Sequence, residues 1–208
     1  SVRYPTRGGA VGAVDRVSLT LQSGEVLGVV GESGCGKTTL ALALLGLLPD
    51  TAQVEGEIHF SGRDLARLPA RELRRGRWRE ISMIFQGAMN ALNPVYTVGE
   101  QIVEAILTHE PHLREWDARA RVAELYEVVG LAPDRRDQYP HQYSGGMKQR
   151  AVIAMALACD PKLVIADEPT TALDVIVQDR ILRELRRIQS ERQLSMLYIS
   201  HDMAVIAE

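Results

Sequence analysis

Short apolar runs come first along this chain, then apolar residues spaced three and four apart, then short apolar runs again. The first stretch reaches about Gln86 and reads as strand-rich. Residues 14–21 read as a strand, and Ser23-Gly24 turns the chain into an apolar run at 26–30. Residues 39–48 are an apolar helix stopped by Pro49. Residues 57–60 form a further strand, closed by the turn Ser61-Gly62-Arg63-Asp64, and 81–85 form another that ends at Gln86.

The middle stretch, from about Gly87 to Asp160, has the helical period. Thr97-Val98-Gly99-Glu100 is a capping box, with Ile102, Val103, Ile106 and Leu107 on one face of the helix it opens. Val122, Leu125, Tyr126 and Val129 mark a second amphipathic helix, ended by Gly130 with Pro133 beyond. Ser144 caps a third, running through Met147, Ile153, Ala154 and Leu157. Strands then return. The run 163–166 is continuously apolar and ends in Asp167-Glu168. A helix follows over 175–189, and a strand over 196–199 leads into Ser200-His201-Asp202. Continuous apolar strands predict a mostly parallel sheet covered on both faces, so the fold class is α/β with a helical insert. Neither an internal repeat nor a low-complexity segment interrupts it.

Composition narrows the reading. The chain has 208 residues, 46% hydrophobic and 25% charged, which suits one domain with a sizeable core. A net charge of −3 gives no basic field to favour nucleic acid. Cys35 and Cys159 show no ligand spacing or disulfide framework, as expected of a reducing cytosol. No apolar run is long enough to span a membrane, and the N-terminus has no signal-peptide pattern. Glu208 closes what reads as a helix just begun, so the expectation is a fragment truncated at its C-terminus.

The densest chemistry lies at Gly31-Glu32-Ser33-Gly34-Cys35-Gly36-Lys37-Thr38, which fits the P-loop pattern G-x-x-x-x-G-K-[ST]. A buried strand before it and a helix after it, opened by Thr39, are the context a triphosphate site needs. Glycines let backbone N–H groups converge on phosphate oxygens, and the helix N-terminus adds its dipole. Lys37 would reach the β- and γ-phosphates, and the Thr38 hydroxyl would ligate Mg²⁺. Asp167 and Glu168 end a buried strand, where α/β sheets place ligand crevices. Asp167 would hold Mg²⁺ through water, and Glu168 would be general base on the attacking water. Ser144-Gly145-Gly146 opens a helix as a second anion cradle, one too many for a chain with a single P-loop unless it serves another subunit's nucleotide. His201 follows a buried strand at the same sheet end, where a neutral imidazole can donate to a phosphate oxygen. His59, His109, His112 and His141 have no partner pattern and read as structural or solvated. Arg71, Arg74, Arg75, Arg77 and Arg79 surround Trp78. With a negative net charge, a solvated helix face is favoured there over a nucleic-acid platform.

Together these motifs resemble the nucleotide-binding domain of ABC transporters over nearly the whole chain. The P-loop, Gln86, Tyr-Ser-Gly-Gly-Met at 143–147, Ile165-Ala166-Asp167-Glu168, Thr171-Ala172-Leu173-Asp174 and His201 occur in the family's order and spacing. The resemblance implies a P-loop NTPase (RecA-like) core with an N-terminal antiparallel β subdomain and an inserted α-helical subdomain. The core would comprise residues 1–87 and 160–208, and the insert 88–159. It implies a Gln86 that touches Mg²⁺ and the attacking water, and a Ser144 and Gly146, flanking Gly145, that contact the γ-phosphate held by a partner's P-loop. Asp174 would sit across the dimer interface, His201 near the γ-phosphate, and Tyr4 against adenine. Met147 replaces the family's usual glutamine and leaves the serine and glycines intact.

The segment Gln86-Gly87-Ala88-Met89-Asn90-Ala91-Leu92-Asn93-Pro94, with 144–150 and 166–177, is further similar to oligopeptide, dipeptide and nickel importers. That likeness implies an ATPase powering import of peptides or similar small solutes from the cytoplasmic face of the membrane. A second ATPase subunit would pair with it head to tail. Transmembrane permease subunits would take up the stroke, an extracytoplasmic binding protein would act indirectly, and nucleic acid would have no part. The alternative is an ABC-type ATPase in DNA repair or translation. The first would bring long heptads or cysteine clusters and the second a pair of cassettes, and neither pattern is present.

Overall fold

A computed structural model describes residues 1–87, 90–171 and 173–203. Ala88 and Met89 of the segment after Gln86, Ala172, and the helix read near Glu208 lie outside the described residues. The N-terminal strands β1 (Val2–Thr6), β2 (Gly9–Val14) and β4 (Gln53–Val54) form an antiparallel sheet in the order β2-β1-β4. Beyond it, β3 (Val26–Val30), β7 (Ile81–Ile84), β8 (Leu163–Asp167) and β9 (Ser195–Ser200) form an all-parallel sheet in the order β3-β9-β8-β7. The hairpin of β5 (His59–Phe60) and β6 (Arg63–Asp64) turns at Ser61 and Gly62, both at positive φ, as a two-residue hairpin loop requires.

Strands β7, β8 and β9 are buried without alternation because both faces are covered; β3, expected as a buried strand, lies at the sheet edge and leaves Val26 and Val30 exposed. Val164 and Ala166 of β8 join one buried cluster with Met196 and Tyr198, while Leu163 and Ile165 join another with Leu197 and Ile199. Helix α1 (Lys37–Leu44) supplies Ala41 to the second cluster, Leu45 follows it there, and the short α2 (Ala70–Gly76) packs Leu73 against it. The first cluster is filled by α3 (Val98–His109), α4 (Glu115–Val128), α5 (Gly145–Ala156) and α6 (Val175–Arg192). Helices α3, α4 and α5 all fall between β7 and β8 in sequence, so they form the helical insert. Thr97 and Glu100 make both bonds of the capping box. Tyr126 of α4 is fully buried, and its hydroxyl lies 2.9 Å from that of Tyr143, which donates to the Arg135 carbonyl at 2.6 Å. That pair fixes the chain just before α5 begins.

Several boundaries differ from the sequence expectation. Strand β2 stops at Val14, and residues 17–22 pair with no strand among the described residues. The alternation of Val17, Leu19 and Leu21 is a strand pattern, but a ladder also needs a neighbour about 4.8 Å away. Val17 and Leu19 are exposed accordingly. The strand expected over 57–60 is reduced to His59–Phe60, and Arg63 and Asp64 belong to its partner rather than to the turn. Helix α1 starts earlier and ends earlier than expected. Gly46 takes φ +58°, and Leu47 N–H reaches back to the Leu42 carbonyl, so glycine ends the helix before Pro49 can. Helix α6 runs on to Arg192 and stops at Gln193, also left-handed. Trp78 turns inward: its indole N–H donates to the Met155 carbonyl at 2.6 Å and its ring stacks on His109. Arg77 caps α1 by donating to the Leu45 and Gly46 carbonyls at 2.8 and 2.6 Å. No helix among the described residues is long and apolar enough to cross a membrane.

Candidate functional site

All four parallel strands end on one side of the sheet, and the loops leaving them meet there. Strand β3 delivers Gly31, β7 delivers Gln86, β8 ends on Asp167 and passes to Glu168, and β9 leads to His201. This is the edge at which open α/β sheets bind ligands.

The loop from Gly31 to Gly36 is shaped by its glycines. Gly34 and Gly36 take φ +82° and +98°, and Gly36 is the left-handed residue from which α1 departs. A Cβ on Gly36 would lie 2.1 Å from the Ala13 carbonyl oxygen, and one on Gly31 would lie 2.7 Å from the Cys35 sulfur. Lys37 is 8% exposed, and its Nζ donates to the Gly31 and Glu32 carbonyls at 2.7 and 2.8 Å. The ammonium therefore lies across the loop that it would share with phosphate. Cys35, Glu32, Ser33 and Gly34 are exposed, and Thr39 is half-buried behind them.

Thr38 Oγ1 donates to Asp167 Oδ2 at 2.7 Å, joining the P-loop to the end of β8 across 129 residues. Asp167 is 1% exposed, and its other oxygen, Oδ1, is buried without a hydrogen-bond partner among the described residues. Burial pushes the Asp167 carboxyl above its ordinary range; the Thr38 bond pulls it down, the Glu168 charge pushes it up, and Lys37 pulls it down. A buried carboxylate oxygen with no donor costs free energy as it stands. Beside a threonine hydroxyl it is the hard oxygen set that suits a divalent cation, directly or through water. No cluster of three His, Cys, Asp or Glu that could hold a metal occurs among the described residues, so a cation here would share its shell with substrate oxygens or water.

Glu168 is held from three sides. Gln86 Nε2 and Thr171 Oγ1 both reach Oε2, at 2.9 and 3.0 Å, and His201 Nδ1 lies 3.1 Å from Oε1. Burial raises its carboxyl, but the bonds from His201 and Thr171, with the charges of His201 and Lys37, outweigh it and leave the group below the ordinary carboxylate range. Its backbone is left-handed, φ +47°, and its N–H donates to the Ile199 carbonyl. A non-glycine residue held in that region costs about 1–3 kcal/mol, and such residues cluster at functional sites.

Thus Lys37, Thr38, Asp167, Glu168, Gln86 and His201 are brought together. Tyr4 lies apart on β1, packed against the small cluster of Val2, Val14 and Ala43. Ser144, Gly145, Gly146 and Asp174 form a second group. Ser144 Oγ accepts from Met147 N–H and Asp174 Oδ1 from Val177 N–H, so each caps its helix. A Cβ on Gly146 would meet Val177 Cγ1 at 2.7 Å, so glycine here lets α5 and α6 approach closely. No hydrogen bond or ion pair among the described residues joins this second group to the Lys37 cluster. Sequence reasoning overlooked Thr171 as a site residue. Its signals were its place at the head of the Thr171-to-Asp174 motif and a hydroxyl three residues after Glu168.

The ABC transporter family profile matches residues 14–171. This chain belongs to the ABC transporter family. It is 49% identical over its full length to a dipeptide transport ATP-binding protein of Bacillus subtilis, covering 63% of that protein. It is 47% identical to the Escherichia coli dipeptide transport ATP-binding protein, covering 64% of it. Against an oligopeptide transport ATP-binding protein of Mycobacterium tuberculosis it is also 47% identical, covering 34%. The chain thus spans less than two thirds of the length of these relatives. Among solved structures, it is similar to a dimeric ATP-binding cassette in a post-hydrolysis state bound to ADP and Pi. That match has TM-score 0.84 and 28% identity, covering 99% of this chain and 90% of that one. A second structure of that same cassette, also dimeric and described as a bacterial ABC transporter cassette, matches with TM-score 0.82 and 28% identity, covering 98% and 86%. The ABC cassette fold expected from the sequence, with its parallel core, antiparallel N-terminal sheet and helical insert, is the fold observed.

Proposed function

We propose that this ABC cassette binds ATP and hydrolyses it to power import of peptides or similar small solutes. The observation that carries hydrolysis is Glu168, oriented from three sides beside the Thr38–Asp167 pair at the ends of the parallel strands; likeness to dipeptide transport ATP-binding proteins supports the peptide part. The loop 31–36 with Lys37, Thr38 and Thr39 would cradle the phosphates, and Tyr4 would stack on adenine. Thr38, Asp167 and Gln86 would hold Mg²⁺, the orphaned Asp167 Oδ1 being the unfilled acceptor. Bound there, Mg²⁺ would neutralise charge on the phosphate oxygens.

Glu168 takes a proton from water as the water oxygen bonds to the γ-phosphorus. The bond from that phosphorus to the bridging oxygen breaks, and the products are ADP and inorganic phosphate. Lys37 offsets the charge that develops on the phosphoryl oxygens. His201 lies beside the carboxylate and would also donate to a phosphate oxygen. Ser144, Gly145 and Gly146 complete the site of a second subunit docked head to tail, and Asp174 lies at that junction. The dimeric state of the similar cassette supports a dimer. Permease subunits would receive the stroke through Gln86 and the loop after it, on the cytoplasmic face of the membrane. In this reading residues 1–87 and 160–208 are the core that carries the P-loop and the acidic pair, and 88–159 are the insert that carries Ser144.

Glu168→Gln tests the reading. It keeps the side chain's shape and removes its basicity. ATP binding should stay within about twofold while turnover falls by at least about 100-fold, and ATP should then accumulate a dimer on a sizing column. Turnover near the native rate would remove Glu168 from the base role.

A further inference from the structure

Thr171 lies in the turn that leaves the acidic pair. Its N–H donates to the Glu168 carbonyl at 3.2 Å, closing four residues around Pro169 and Thr170. Proline at the second position of such a turn has its φ preset. The Thr171 hydroxyl then folds back to Glu168 Oε2 at 3.0 Å. Both ends of this contact are fixed by backbone. Glu168 is anchored at φ +47° with its N–H on the Ile199 carbonyl, and Thr171 is anchored by the turn.

The two oxygens of Glu168 are not equivalent. Oε2 accepts twice, from Gln86 Nε2 and from Thr171 Oγ1. Among the described residues Oε1 has only His201 beside it, on an exposed imidazole. A carboxylate oxygen accepts well along two lone-pair directions, so Oε2 is saturated while Oε1 keeps one direction open. From this geometry we infer that Thr171 is a positioning residue for ATP hydrolysis: with Gln86 it occupies Oε2, turning Oε1 toward the water and making it the oxygen that receives the proton. The inference rests on the reading of Glu168 as general base and adds which oxygen acts and what orients it. Thr171 touches no reacting atom. It acts through Glu168, so its loss should slow the chemical step and leave nucleotide binding alone.

Steady-state ATPase kinetics of the purified native protein, Thr171→Val and Thr171→Ser, with nucleotide affinity from a fluorescent ATP analogue, test this. Valine keeps the branched shape without the hydroxyl, and serine keeps the hydroxyl without the methyl. Thr171→Val should lower kcat by about 10-fold, the scale of one hydrogen bond to a charged group, with KM and analogue affinity changed less than about twofold. Thr171→Ser should recover at least half of the native kcat. A Thr171→Val kcat within about twofold of native overturns the role of Thr171, as does a Thr171→Ser loss equal to that of valine. A loss of analogue binding in Thr171→Val also overturns it, because the hydroxyl would then support the fold of the site. Absence of any ATP turnover in the native protein would instead overturn the hydrolase reading, and this inference with it.

Discussion

Replacing Gly36 by alanine perturbs the phosphate loop at its most crowded glycine, and two separate costs can be worked from the geometry. The first is conformational. Gly36 sits at φ +98°, where a Cβ crowds its own backbone, a cost of about 1–2 kcal/mol. The second is a clash. The added Cβ would lie 2.1 Å from the Ala13 carbonyl oxygen and 3.2 Å from the Ala13 carbonyl carbon. Carbon and oxygen sit comfortably at about 3.3 Å or more, so α1 and the end of β2 would have to part by roughly 1 Å. Both sides of that contact are backbone, and overpacking of this kind costs about 1–3 kcal/mol. Gly34 separates the two costs: it has φ +82° and nothing within 4 Å of an added Cβ. Gly34→Ala should therefore lose about 1–2 kcal/mol, and Gly36→Ala at least about 1 kcal/mol more. Urea unfolding at unchanged m-value reads both losses. A parallel nucleotide titration should find the weaker binding in Gly36→Ala, whose helix start has been displaced. Equal losses in the two variants, within about 0.5 kcal/mol, would refute the clash and with it the tight seating of the loop on β2.

Two further outcomes follow from the same site. A Ser144→Ala subunit mixed with a Lys37→Ala subunit should regain part of the activity that each lacks alone, because one composite site in the mixed dimer stays intact; no recovery at any ratio would mean that Ser144 does not act in trans. Alkylation should modify exposed Cys35 and spare buried Cys159, whose thiol burial pushes up to about 11, and saturating ATP should protect Cys35 in a peptide-level mass measurement. Modified protein that binds ATP as before would place the loop away from the phosphates.

Much of this architecture was legible because its determinants are local. The run 163–166 reads as a doubly covered strand since Val164 and Ile165 must both be buried, on opposite faces. Thr97, Glu100 and Ser144 read as helix starts because a cap needs only a side chain and an N–H two or three residues on. What needed a distant partner was not legible. Residues 17–22 carry a strand's alternation, but pairing depends on a neighbour the pattern does not encode. Trp78 lies within an arginine run that suggests an exposed face, yet the Met155 carbonyl, 77 residues on, takes its indole N–H. The P-loop motif names Lys37 but not its resting contacts on the Gly31 and Glu32 carbonyls. Likewise, the left-handed φ of Glu168 belongs to a residue type that rarely adopts it, so no residue frequency could have signalled it.

The second group of site residues gains meaning from what pins it. Gly146 and Val177 are so close that no side chain fits on the glycine, and the N–H of the same Val177 is taken by Asp174. The N-terminus of α5 and that of α6 therefore form one packed unit. Three residues before Asp174 stands Thr171, whose hydroxyl and N–H both return to Glu168. On the proposed dimer, α5 presents Ser144 to the nucleotide of one subunit while Glu168 serves the nucleotide of its own. A shift of α5 would press Val177, whose N–H Asp174 holds. A glycine at 146 thus has a reason beyond phosphate approach: a larger side chain would separate α5 from α6. Ser144 would then move relative to Asp174, even with both side chains intact.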